Sequence, residues 1–397
     1  MSTLLTSQTP ATPAPYGIPW LRLAFRPFYL GAAFLAALIV PLWTAVFLGA
    51  TGWAPTPPAL LWHAHEMLFG FAIAVIVGFL MTAGKTWTGL ATPRGPALGM
   101  LILLWLSARI AALVAPYPVF AVLDLVLLPV VGLIFLRLLV RARNWRNVPL
   151  ALILLLLALV NLTFHLSAHG VIELAPMRSL YAGLALIVMI ECVMAGRVVP
   201  FFTTSAIAGL KIEALPWLQR STLTATAIGL ASWVADWHSG LTAMALTLAF
   251  ALNLVSQWRW QPLATRHKPI VWILHLAYLW LTLGLGLLAL AQMGWVTVSV
   301  GVHALGVGAT GGLIIGMITR TARGHTGRAL TADTPERVAY VLIMAAAVCR
   351  VLLPLLVPSL YRHALMAAAG AWSAAFLIYL WQYTPWLVSA RSDGKDG

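Results

Sequence analysis

The feature that most constrains this chain is a succession of apolar runs, each long enough to cross a lipid bilayer as a helix. A spanning helix needs about 20 mainly apolar residues, and its backbone polar groups must be hydrogen-bonded within the helix. Of the 397 residues, 61% are apolar and 9% are charged, against about half and about a quarter in soluble proteins. The runs lack the short alternation of membrane-barrel strands. The sequence therefore predicts an all-α, polytopic transmembrane helical bundle.

Twelve runs are read as spans, of which the seventh and eighth are the shortest. They cover residues 30–49, 60–83, 97–115, 118–140, 148–168, 178–199, 222–237, 240–256, 270–290, 297–319, 338–357 and 363–383. The loops between them are short, so a single bundle domain is predicted over residues 30–385.

The two ends of the chain differ from the bundle in composition. Residues 1–15 are rich in Ser, Thr, Pro and Ala and are predicted to be a disordered tail. Residues 16–29 mix aromatic side chains with Arg22 and Arg26, a composition typical of a segment lying in the membrane interface. Residues 386–397 are predicted to be a cytoplasmic tail.

The basic residues indicate the orientation of the bundle. With both termini in the cytoplasm, 20 of the 24 lysines and arginines fall on the cytoplasmic side, as the positive-inside rule requires. The net charge of +14 is spread over short loops between spans. It is therefore explained by topology and contact with anionic lipid, and no nucleic-acid partner is predicted.

Ionisable side chains inside the predicted spans need a specific reason, since each costs about 2.5 to 3.5 kcal/mol on insertion scales. Five residues qualify, namely Glu66, Asp124, Glu191, Arg109 and Arg350. An ion pair between Arg109 and Asp124 across a helical hairpin is a purely structural explanation for two of them. The sequence alone leaves that explanation and a functional one open.

Histidines concentrate at one membrane level. With the predicted topology, seven of the ten lie at or near the periplasmic ends of spans: His63, His65, His165, His169, His238, His303 and His363. A single histidine in a bundle is more often a packing residue than a ligand. Several at one level point to a metal or haem site, because imidazole is the commonest nitrogen ligand for iron, copper and zinc.

The densest group is WHAHEMLFGF, from Trp62 to Phe71, at the start of the second span. On a helix, His63 and Glu66 share a face, whereas His65 points about 200° away from His63. The two imidazoles therefore cannot chelate one ion from a regular helix. They serve two centres, or one is a ligand and the other supports it through a hydrogen bond.

The remaining candidates are less specific. His165 and His169 are four residues apart and can share a helix face, with His165 the better placed of the two. His303 begins a span in which Gly308, Gly312 and Gly316 repeat every fourth residue. That period lets a second helix, or a flat cofactor, approach the backbone closely.

Several blocks of the sequence resemble the NnrS family of bacterial membrane proteins, described as haem- and copper-containing and linked to nitric oxide stress. The blocks are FRPFYLGA (25–32), WHAHEMLFGF (62–71), GFLMTAGKTWTG (78–89), GRVVPFFT (196–203), HALGVGATGG (303–312) and TRTARGHTGR (319–328). Histidine or glutamate positions of the family's motifs are matched by His63, His65, Glu66, His165, His275, His303 and His325. One departure is Lys85-Thr86, which stands where the family usually has Pro-Asn before Trp.

The resemblance implies a bacterial inner-membrane protein that handles nitric oxide at a histidine-ligated haem b, with copper or a second metal nearby. Candidate metal ligands are His63, His65, His165, His169, His303 and His325. Candidate haem-binding residues include the same His63, His65, His165 and His303, together with His275 and the arginines Arg26, Arg109 and Arg320. If the protein reduces nitric oxide, Glu66 is the nearest proton donor or a metal ligand, Glu191 is a candidate proton-relay residue, and a quinol or another redox partner supplies electrons. A protective or sensing protein without turnover and a twelve-helix secondary transporter are the alternatives.

Overall fold

The computed structural model of the chain describes residues 17–395, and every long element in that range is a helix. The twelve long helices are α1 (Phe25–Phe47), α2 (Ala59–Thr88), α3 (Pro96–Val114), α4 (Tyr117–Arg141), α5 (Val148–Ala168), α6 (Pro176–Ala206), α7 (Pro216–Val234), α8 (Ser239–Arg259), α9 (Pro269–Gln292), α10 (Val298–His325), α11 (Thr334–Leu356) and α12 (Tyr361–Val388). Each overlaps one of the twelve predicted spans. The all-helical fold class is confirmed.

Eleven of these helices are long and apolar enough to cross a membrane, and α7 is the exception among the described helices. Its polar side chains find partners in the next helix, because Thr222 and Thr226 hydrogen-bond to Ser256 and Asn253 of α8 at 3.0 and 2.9 Å. Such contacts satisfy hydroxyl and amide groups without water. The chain is thus a multi-pass membrane protein, and both termini share one side of the membrane if α7 also crosses it.

Helices that are adjacent in sequence pack against one another, and α12 returns to pack along α1. Trp372 and Ser373 of α12 donate hydrogen bonds to the backbone oxygens of Ala36 and Ala37 in α1, at 3.1 and 2.5 Å. The interior of the bundle is formed largely by α2, whose most apolar stretch is 78% buried against 39% in α3. Near the start of α2, His65 and Glu66 are buried and His63 is partly buried.

The N-terminal boundary of the bundle differs from the prediction. The predicted tail, residues 1–15, lies outside the described residues. Helix α1 begins at Phe25 rather than at residue 30, so the last five residues of the predicted interfacial segment belong to this helix. Phe25 and Phe28 are fully buried. The N–H of Phe25 donates to Thr82 Oγ1 of α2 at 3.1 Å. Because this partner is distant in sequence, the helix start could not be identified from local residues.

The glycines of α10 pack against a helix. A Cβ on Gly312 would lie 2.7 Å from the Cβ of Ala277 in α9, and a Cβ on Gly308 would overlap the side chain of Trp280 one turn away. Gly316 meets α9 in the same way. Of the two explanations for the glycine period, close helix packing is therefore the correct one. Gly306 differs, since a Cβ there would meet no atom within 4 Å.

Replacing Gly308 by valine should destabilise the bundle by about 1 to 3 kcal/mol, because the new side chain overpacks a closed helix contact. The expected result is a lower melting temperature of the detergent-solubilised protein. Gly306→Ala is the matched control on the same helix and should melt as the wild type does, because its methyl group enters open space. Equal melting temperatures for both variants would contradict the close packing of α9 and α10.

Candidate functional site

His63 and His65 point to opposite sides of α2. The His63 ring stacks on Trp43 of α1, with ring centroids 4.1 Å apart and planes 20° from parallel, and it lines a cavity. The His65 ring is buried on the other side, where its Nε2 lies 3.0 Å from Asn161 Oδ1. The two imidazoles therefore belong to separate centres, which was one of the two arrangements that the sequence left open.

The cavity beside His63 has a volume of about 400 Å³ and lies between α1, α2, α6, α10, α11 and α12. Cavities of this order hold small organic ligands and cofactors. Its walls are largely apolar, formed by leucine, methionine, valine and aromatic side chains. Its basic groups are His63, His303 and Arg350, which come from three different helices.

Both cavity histidines keep a ring nitrogen for a ligand. His303 Nδ1 lies 2.7 Å from the backbone oxygen of Ser299 in the preceding turn, so Nδ1 carries the proton and Nε2 keeps its lone pair. Such a hydrogen bond fixes the tautomer and the orientation of a ligating ring. His63 Nδ1 is buried and has no hydrogen-bond partner among the described residues. A bound ligand would remove the cost of that unsatisfied atom.

Three π-helical turns border this cavity. They are Glu66–Ala72 in α2, Ala304–Gly311 in α10 and Val348–Leu352 in α11, and each contributes lining residues. Such turns are rare and frequently occur at functional sites, because they insert an extra residue into a helix and redirect the side chains around it. The first two follow directly after His63-Ala64-His65 and His303 in the sequence, so the local distortion and the histidines coincide.

A second centre is a buried polar cluster on the other side of α2. His65, Asp124 and His165 each offer one ligand atom, and these atoms lie within 4.8 Å of one another. Asp124 Oδ2 is 3.2 Å from His65 Nε2 and 3.1 Å from His165 Nε2. The other ring nitrogen of His165, Nδ1, forms a hydrogen bond with the hydroxyl of Tyr117 at 2.9 Å. This His-Asp-His group could hold a metal ion.

The surroundings of His65 show an excess of acceptor oxygens. Its Nε2 faces Asn161 Oδ1 and Asp124 Oδ2, and its Nδ1 lies 3.2 Å from Glu66 Oε1. A neutral imidazole has one N–H only, so it cannot donate to oxygens on both sides. A second proton on the ring, a proton on one of the facing carboxyl groups, a rotated Asn161 amide or a cation bound at Nε2 would each resolve this arrangement.

Arg109 joins the two carboxylates of the cluster. Its Nη1 donates to Glu66 Oε1 at 2.6 Å, and its Nη2 donates to Asp124 Oδ1. The ion pair expected across the α3–α4 hairpin is therefore present. Arg109 and Asp124 are 4% and 6% exposed, and Glu66 is fully buried. Asp124 Oδ2, the atom that faces the histidines, is not the oxygen that pairs with Arg109.

Glu191 lies apart from both centres. It borders a smaller pocket of about 90 Å³, whose lining also includes Thr310. Thr310 lines the large cavity as well, so this residue separates the two spaces. Glu191 Oε2 is buried without a hydrogen-bond partner among the described residues. Only the Thr310 side chain therefore lies between the pocket of Glu191 and the large cavity. Glu66, the other candidate, is paired with Arg109 in the buried polar cluster.

The other candidate histidines lie elsewhere. His275 Nε2 pairs with Thr203 Oγ1 at 2.9 Å in a buried contact between α9 and α6. His169 is exposed and stacks on Tyr117, with ring centroids 5.9 Å apart. His325 contacts Phe25 at the start of α1, with centroids 5.3 Å apart. None of the three lines the large cavity or takes part in the His-Asp-His group.

The three arginines named as candidate haem partners do not line the large cavity. Arg26 donates to the backbone oxygens at the end of α12, Arg109 pairs with the buried carboxylates, and Arg320 lies 3.8 Å from the Phe202 ring centroid. Arg350 lines the cavity instead. The sequence did contain a signal for it, since Arg350 lies near the predicted periplasmic end of its span, at the level of His63 and His303.

Comparison with known proteins identifies the family of the chain. A search of curated proteins finds no match. The family model described as NnrS protein matches residues 19–391, a range that includes all twelve helices and both histidine centres. Because the match covers nearly the whole chain, the protein belongs to the NnrS family.

Proposed function

We propose that this protein binds haem in the large cavity and handles nitric oxide there, on the periplasmic side of a bacterial inner membrane. One observation carries the proposal: imidazoles from two different helices, each with a nitrogen left for a ligand, line one apolar cavity of about 400 Å³. Family membership supports the same conclusion. The periplasmic position follows from the distribution of basic residues.

The residues of the cavity fit a haem. His63 and His303 would hold the iron, Trp43 would keep the His63 ring in place by stacking, and the apolar walls would enclose the flat ring and exclude water. Gly306 leaves open space beside the π-helical turn of α10. When bound, haem would supply an iron centre that changes oxidation state, and nitric oxide would bind to it in place of one of the two imidazoles.

We also propose His65, Asp124 and His165 as the place of the second metal. Imidazole nitrogens together with a carboxylate suit copper, iron or zinc, and the facing oxygens around His65 favour a cation at Nε2. Binding would replace the Asn161 contact with Asp124 Oδ2, which is 2.6 Å long. The pairing of Asp124 Oδ1 with Arg109 could remain.

Proton supply to the cavity is assigned in this proposal to Glu191 rather than to Glu66. A carboxyl group at membrane depth is a typical proton-relay residue, and Thr310 connects its pocket to the cavity. Glu66 would have to leave its ion pair with Arg109 before it could transfer a proton. Electrons for a reduction would come from a quinol or a redox partner.

The proposal is tested by a visible spectrum of the purified protein, recorded oxidised, reduced with dithionite and with nitric oxide added, together with metal analysis. We expect a Soret band that shifts on reduction and on addition of nitric oxide. Metal analysis should find a second metal ion in addition to one haem iron per chain. A preparation that stays colourless after haem supplementation would contradict haem binding and favour the transporter. Turnover of nitric oxide with a reductant would separate an enzyme from a sensing or protective protein.

A further inference from the structure

Arg350 is a cation inside a membrane span that has no carboxylate partner among the described residues. It lies in the π-helical turn Val348–Leu352 of α11 and lines the same cavity as His63 and His303. Its guanidinium interacts with the Tyr361 side chain, whose ring centroid is 5.9 Å from the guanidinium carbon. A charge at this depth is costly unless an opposite charge or strong hydrogen bonds compensate it.

Two buried arginines of the bundle, Arg109 and Arg323, pair with carboxylates. Arg109 bonds to Glu66 and Asp124. Arg323 bonds to Glu336 at 2.6 Å and to Asp333 at 2.5 Å. In these two cases the charge of a buried guanidinium is compensated by carboxylates of the bundle.

Arg320, which lacks a carboxylate partner among the described residues, lies directly over the Phe202 ring at 3.8 Å. The guanidinium of Arg350 is farther from its aromatic neighbour, at 5.9 Å from the Tyr361 ring centroid. Its guanidinium adjoins the open volume of the cavity instead. The missing partner of Arg350 is thus expected to occupy that volume.

We infer that Arg350 binds the carboxylate groups of the cavity's ligand, an amphipathic molecule with a flat apolar body and acidic side chains. This inference rests on the proposed function and identifies these groups with the propionates of haem. The planar guanidinium can donate two parallel hydrogen bonds to one carboxylate. His63 and His303 would hold the centre of the ligand, and Arg350 would fix its orientation by holding its acidic edge.

The experiment compares haem with haem dimethyl ester, in which both carboxylates are esterified and uncharged. Each is titrated into ligand-free protein in detergent, and affinity is read from the Soret band. We expect wild-type protein to prefer haem over the ester by about tenfold or more, as the loss of one charged hydrogen-bonded pair implies. Arg350→Gln should lose most of this preference, with little change in affinity for the ester.

The matched control is Arg362→Gln, which removes an exposed arginine near the same end of the bundle and should keep the full preference. Arg350→Lys keeps the charge but not the planar fork, and it should retain part of the preference. If Arg350→Gln does not fold, the inference is tested with Arg350→Lys. A preference for haem over its ester that is smaller than in the wild type supports it, and an unchanged preference contradicts it.

The outcomes separate this inference from the proposed function. If neither porphyrin binds to the wild type, the proposed function fails. If haem binds but Arg350→Gln keeps the wild-type preference for haem over its ester, the inference is overturned and the proposed function stands. The inference is also overturned if Arg350→Gln loses only co-purified anionic phospholipid, because the anion at Arg350 is then a lipid phosphate.

Discussion

Replacing His63 or His303 by alanine should remove most of the haem from the purified protein. Each change deletes one of the two imidazoles that line the cavity, and a flat cofactor held by two ligands loses its fixed position when one is missing. We expect the dissociation constant for haem to rise at least about tenfold, equivalent to about 1.4 kcal/mol of binding free energy, and haem occupancy at limiting haem to fall accordingly. Haem per chain, measured by the pyridine haemochrome spectrum, is the readout.

His238→Ala is the control for the loss of a histidine at the same predicted membrane level. His238 is exposed and precedes the first residue of α8, so its removal should leave haem content unchanged. His65→Ala adds a second comparison, since His65 belongs to the buried cluster. It should lower the content of the second metal more than that of haem. Equal haem loading in the His63, His303 and His238 variants would refute the ligand assignment.

Replacing Arg109 by methionine should produce the largest loss of stability of any single change considered. It leaves Glu66 and Asp124, two buried carboxylates, without their cation. Breaking a buried ion pair by removing one partner typically costs about 3 to 5 kcal/mol, because a buried charge remains uncompensated. We expect a large drop in the yield of folded protein and in the melting temperature measured in detergent.

Arg178→Met is the matched control, because Arg178 pairs with Asp236 at 2.8 Å on the exposed surface. Exposed pairs contribute about 0 to 1 kcal/mol, so this variant should melt close to the wild type. A triple variant with Glu66→Gln, Arg109→Met and Asp124→Asn should recover part of the lost stability, since it carries no unpaired charge. Similar melting temperatures for Arg109→Met and Arg178→Met would mean that the cluster does not stabilise the bundle.

The sequence alone predicted most of the fold. Twelve apolar runs correspond to twelve helices, because helix length and hydropathy are local properties in a bilayer. The opposite directions of His63 and His65 also followed from helix geometry alone. The start of α1 was misplaced because its first N–H is satisfied by Thr82, which is remote in sequence.

The candidate site was predicted in part. The residue types and their membrane level were apparent, and the Arg109–Asp124 pair was expected. The sequence did not predict that Arg350 lines the cavity. It also did not predict that Arg26, Arg109 and Arg320 lie outside it. Three π-helical turns around one cavity also had no recognised sequence signal, since such turns depend on how the helix packs against its neighbours.

The sequence by itself determined that this protein is a membrane-embedded helical bundle, because span length and hydropathy are local properties of the chain. It also predicted, from charge asymmetry, that most histidines lie at one membrane level. Only the tertiary structure decided which of those histidines share a centre. His63 and His303 line the same apolar cavity, and His65 and His165 both face Asp124. The physical reason is that a shared site depends on which helix faces pack together, and that pairing is set by contacts between residues far apart in the chain.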